Sequence, residues 1–120
     1  MPVPSPVPSG TPAPSPVSNA DAAIALVKAQ FVEVARIQKS PAGAIGVSQN
    51  IFVFERAEGW DIAFWQGDGD CPAGCINNRY YYYSVSKAGR ATKVGEYARI
   101  YSAQKNSFDV SGAPMWGIPR

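Results

Sequence analysis

The chain has 120 residues, eleven Lys and Arg against nine Asp and Glu, a formal net charge of +2 and no histidine. That length holds one small domain, stable by a narrow margin. The lack of histidine removes the commonest general base and metal ligand, and the scattered positive residues argue against a nucleic-acid partner.

Residues 2–18 read PVPSPVPSGTPAPSPVS, with seven prolines. Proline removes backbone donors and favours polyproline II geometry, so residues 1–18 are expected to form a disordered, semi-rigid spacer. A ligand for a proline-reading module would need Arg or aromatic anchors beside it, and the stretch has none. It has neither a basic n-region nor an apolar h-region, so no signal peptide is expected in it. A leader or lipid anchor removed upstream would explain that. The longest apolar run, Ala22 to Val27, is too short to cross a bilayer.

Residues 19–120 are expected to form a single domain. Ser18 with Asp21 three residues later marks a helix start, and Ile24, Val27, Phe31, Val34 and Ala35 recur on one face. Pro41 ends the pattern, which predicts a helix from Asn19 to Lys39. Ile51 to Phe54 is rich in β-formers, and Glu58-Gly59 is a turn signal. Trp60, Ile62 and Phe64 then alternate with Asp61, Ala63 and Trp65, giving a strand with one strongly apolar face. Further strands are predicted over 79–86 and 92–97, separated by a turn at 87–90. The expected fold class is α+β: one N-terminal helix packed on a four-stranded antiparallel meander. From about Ala98 onward the prediction is irregular chain, with Phe108, Val110, Met115, Trp116 and Ile118 packing across an edge or face of the sheet.

The most specific local feature is Asp68-Gly69-Asp70-Cys71-Pro72-Ala73-Gly74-Cys75. Proline and glycine between Cys71 and Cys75 let the chain turn back so that the sulfurs meet, which predicts a disulfide and an oxidising compartment. A zinc site would need four ligands, and a redox-active pair normally has two intervening residues at a helix start. Calcium at Asp68 and Asp70 fails the EF-hand register, because the twelfth position is Arg79. No metal and no cofactor is therefore expected.

Tyr80 to Tyr83 place rings on both faces of one strand. One pair is expected beneath the helix with Trp60 or Phe64. The other faces water, a ligand or another subunit, or simply covers the sheet face. Asp68, Asp70, Trp65, Tyr80 and Tyr82 are the candidate binding residues. No glycine-rich phosphate loop or dinucleotide fingerprint is present, and no carboxylate stands in a context that predicts a shifted pair, so an enzyme is not expected.

The order of helix and short strand, then Trp60-x-Ile62-x-Phe64, Tyr83-x-Val85-x-x-x-Gly89 and Val94-Gly95-Glu96, resembles the PepSY-like and cystatin-like exported bacterial domains. The stretch from Gly69 to Ile76 before an aromatic strand resembles a variant found in secreted bacterial proteins. The resemblance covers about residues 19–97. It implies a helix on an antiparallel meander, a periplasmic, secreted or lipid-anchored location, and a role as a peptidase modulator or inhibitor, with no catalytic residues carried over. The expected function is a non-catalytic extracytoplasmic binding module with a protein or peptide partner. A self-associating assembly subunit is the alternative, and a carboxylate-based hydrolase comes third.

Overall fold

The computed structural model describes residues 16–117. The expectations of a spacer over 1–15 and of packing by Ile118 lie outside them. Val17 is already in the core, and its amide donates to the Lys87 carbonyl at 2.8 Å.

Helix α1 spans Ala20–Gln30. Its N-cap is Asn19, not Ser18: the Asn19 side chain accepts a 2.8 Å hydrogen bond from the Ala22 amide. The helix stops well short of Lys39. Phe31 is extended, and a short 3-10 turn, Val32–Val34, follows. Val34 and Ile37 still reach the core. They continue the three-residue spacing of the helix, so the break leaves the apolar periodicity undisturbed. In exchange, Phe31 lies against the Tyr83 ring at 4.8 Å.

The sheet has five strands, not four: β1 Gln49–Arg56, β2 Gly59–Asp68, β3 Asn77–Ser86, β4 Ala91–Ser102 and β5 Ser107–Gly112, all antiparallel neighbours in chain order. The fold remains broadly α+β, with more strand than helix. The fifth strand occupies part of the segment expected to be irregular. β4 runs on past Tyr97 to Ser102 and turns at residues 103–106 into β5. Asn106 closes that turn in the left-handed region at φ 50°, where glycine is the usual choice and asparagine is tolerated.

Both sheet faces are covered. On the helix side, Trp60, Ile62, Phe64, Tyr83 and Val85 pack with Ile24, Val27, Val34 and Ile37. The opposite face gathers Ala63, Tyr80, Tyr82 and Tyr97 with Phe52, Trp65, Met115 and Trp116. There the chain beyond β5 folds back over the sheet. Trp116 meets Tyr82 edge-on at 5.3 Å, and a Cβ on Gly95 would stand 3.0 Å from the Met115 sulfur. The first part of β1 is sealed along its outer edge. Ser40 donates its amide to Asn50 Oδ1 and its hydroxyl to the Gln49 carbonyl, and the Gln38 amide donates to Gln49 Oε1.

Candidate binding concavity beside the disulfide loop

Tyr80 to Tyr83 alternate across β3 as strand geometry requires. Tyr81 and Tyr83 point to the helix side, and Tyr80 and Tyr82 to the other. Tyr83 stands edge-on to Phe64 at 5.5 Å. Of the alternatives for the second tyrosine pair, exposure to water is the one the structure removes, since Tyr80 and Tyr82 are 2% and 1% exposed and lie in the core of the opposite sheet face. They stack at 6.2 Å, with Tyr97 stacked on Tyr80 at 5.9 Å. The returning chain at Met115 and Trp116 is the physical reason that a second, aromatic core forms here.

At the Cys-loop end of this face that cover gives way to a concavity of ≈ 480 Å³ lined by Gly74, Cys75, Asn78, Tyr80, Tyr97 and Arg99. One wall is the loop of residues 69–76. Cys71 and Cys75 have their sulfurs at disulfide distance, 2.10 Å, across a short 3-10 turn, Cys71–Ala73. Asp70 enters that turn in the left-handed region, and the Gly69 carbonyl accepts from the Ile76 amide at 2.7 Å. The loop lies close on β2 because Gly67 has no side chain: a Cβ there would come within 2.7 Å of Cys75 Sγ.

Asn78 joins this wall to the aromatic face. Its side chain accepts from Trp65 Nε1 at 2.8 Å and donates to the Cys75 carbonyl at 3.1 Å, so the amide cannot rotate freely. Arg99 lies opposite Asn78 in the β3–β4 register, with its guanidinium 3.5 Å from the centre of the Phe108 ring. No carboxylate among the described residues pairs with Arg99. It is the one formal charge among the six lining residues.

Of the expected binding residues, Tyr80 lines the concavity. Trp65 and Tyr82 share its sheet face without lining it: Trp65 orients Asn78, and Tyr82 lies beneath Trp116. Asp68 and Asp70 are exposed and lie outside the lining, and Asp68 accepts a 2.6 Å hydrogen bond from Asn77. Asn78, Tyr97 and Arg99 were not singled out in the sequence. Their signal was the two-residue step Tyr97-x-Arg99, which reads as one face only if β4 continues past Tyr97. Among the described residues no three His, Cys, Asp or Glu side chains gather as a metal site, and no helix is long and apolar enough to cross a membrane.

A second polar cluster lies on the helix side. Glu33 accepts from the Tyr83 hydroxyl at 2.8 Å and from Lys93 at 3.0 Å, and Lys93 also bonds Glu96. The Glu33 carboxylate is held below its ordinary pKa, first by its own backbone amide and then by the Tyr83 hydroxyl, while burial opposes both. Burial, and then Glu33, push the Tyr83 hydroxyl well above the usual tyrosine range. Burial works against the Lys93 charge, yet hydrogen bonds to Glu96 and Glu33 carry its pKa above normal. These groups fasten the 3-10 turn to the sheet.

Compared with known proteins, the chain matches no family model, no curated protein and no solved structure.

Proposed function

We propose that this chain is a non-catalytic extracytoplasmic binding module whose contact site is the concavity between the cysteine loop and the β3–β4 aromatic face. The observation that carries the reading is the preparation of that site. A disulfide-distance pair, a doubly bonded Asn78 and a ring-backed Arg99 all converge on one ≈ 480 Å³ space. Binding sites are typically largely pre-formed and lined by apolar rings with a few fixed polar groups. The six described lining residues include no carboxylate and the chain has no histidine, which favours binding over acid–base chemistry. The cysteine pair supports an oxidising compartment. Peptidase modulation, the role implied by the PepSY-like resemblance, would be one use of such a site.

The test is amide NMR of the full chain titrated with a mixed panel of short peptides and small charged and neutral compounds. Shifts concentrated at residues 74–80 and 97–99 are expected. A panel that moves no amide there overturns the reading.

An assembly subunit is the second reading. It is favoured by β5, whose outer edge has no neighbouring strand among the described residues and whose Val110 is 58% exposed. Light scattering against concentration separates the two, and a monomer at millimolar concentration removes the assembly reading.

A further inference from the structure

We infer that β5 takes a second copy of this chain as its next strand, antiparallel and in a single register, with Val110 opposite the partner's Val110. This rests on the assembly reading and names the interface that reading would use. Among the described residues β5 pairs with β4 on one side only, and all of its residues but Phe108 are exposed. Such an edge presents a row of backbone donors and acceptors to any extended chain. The side chains decide which chain fits. Arg99 covers the Phe108 ring at 3.5 Å, so Phe108 lies on the same sheet face as Arg99, and Val110, two residues on, shares it. Asp109 and Ser111 belong to the opposite face by the same alternation.

Two identical antiparallel strands keep like faces together only when the two-fold axis between them passes through a residue. Centred on Phe108 or on Ser111, only residues 107–109 or 110–112 of β5 overlap. Centred on Asp109, the overlap is longer, but two carboxylates stand directly opposite each other, which is destabilising. Centred on Val110, residues 108–112 overlap without that conflict. The two valines form a β-branched cross-strand pair. Asp109 faces the partner's Ser111, whose hydroxyl can donate to the carboxylate, and Gly112 leaves room for the partner's Phe108 ring. Symmetry repeats both contacts. The pairing also covers Val110, which is 58% exposed in the single chain. This self-complementarity selects a second copy over a foreign strand. The seam is short beside a standard interface, so the association is weak and depends on concentration.

The experiment follows disulfide cross-linking between full-length chains under mild oxidation, with both native cysteines already engaged with each other. Directly opposite residues of an antiparallel pair lie about 4.5–5.5 Å apart at Cα, within disulfide reach. Val110→Cys is therefore expected to give a cross-linked dimer about tenfold faster than Asp109→Cys or Ser111→Cys alone, whereas an equal mixture of those two cross-links rapidly. By light scattering, Val110→Lys sets like charges opposite each other and should abolish association. Ser111→Lys, facing the partner's Asp109, should tighten it about twofold or more. Association that persists in Val110→Lys, or cross-linking led by Asp109→Cys, overturns the inferred register and leaves the assembly reading standing. A chain that is monomeric at millimolar concentration and cross-links no faster at position 110 than at 109 removes both. In that monomer, slow alkylation of the thiol introduced by Val110→Cys assigns the edge to another part of the same chain, and fast alkylation leaves it to a strand of a different protein. The folded state of each variant is read from the Trp60 and Ile62 signals in the helix-side core.

Discussion

Tyr83 has a fully buried ring, and its hydroxyl donates to a charged partner, Glu33, on a different element. Replacing Tyr83 with Phe keeps the ring and leaves Glu33 without that donor, which costs about 1 kcal/mol by denaturant unfolding. The pH dependence has a defined sign. Glu33 has a folded pKa below its ordinary 4.5, so its contribution is complete above that value and is lost as pH falls through the folded pKa. Stability of the native chain therefore declines on acidification below about pH 4.5. Glu33→Gln flattens that part of the curve, and equal slopes in the two proteins would show that the tether contributes nothing. Gly67 makes a separate point at the same scale. Gly67→Ala pushes a methyl group against Cys75 and Trp65, costing about 1–3 kcal/mol and raising amide exchange through residues 69–76.

At the scale of elements, the helix and the first four strands were legible because burial there follows sequence periodicity, with Trp60, Ile62 and Phe64 the clearest case. The helix end was not, since the chain leaves helical geometry at Phe31 while Val34 and Ile37 keep the same spacing. β5 was missed for a different reason. Its turn is carried by Asn106 in place of glycine, and Ser107–Gly112 is largely exposed, so neither a turn dipeptide nor an apolar face announced it. Ending β4 too early hid Arg99 as well, and with it half of the candidate site. Asn106→Val should cost about 1–2 kcal/mol, because a β-branched residue resists the left-handed region, while Asn106→Gly should be tolerated better. Thermal melts of both variants check this. Reducing the cysteine pair opens only a short loop, worth about 2 kcal/mol in the chain-entropy picture. A modest fall in melting temperature is expected, with faster exchange confined to that loop.

For the whole molecule, the notable arrangement is a sheet with a core on each side, one beneath the helix and one beneath the returning C-terminal chain. Composition gave the aromatic residues but not which segment would cover them, since a tyrosine suits both a buried and a wet face. Trp116→Ala removes the ring over Tyr82 and beside Phe54. It should cost about 1–3 kcal/mol and bring out binding of a hydrophobic dye, which the intact chain should show weakly. Unchanged dye binding would mean that the second core closes without that ring.

The sealing of β1 by Gln38 and Ser40 has a consequence for any encounter between copies. A sheet that extends in both directions can be a link in a fibre. Here the first part of one margin is already occupied by the chain's own side chains and amides, while the other margin, β5, has six residues on offer. Two copies meeting through β5 would each present a blunted outer side to the next arrival, so addition would tend to stop at the pair.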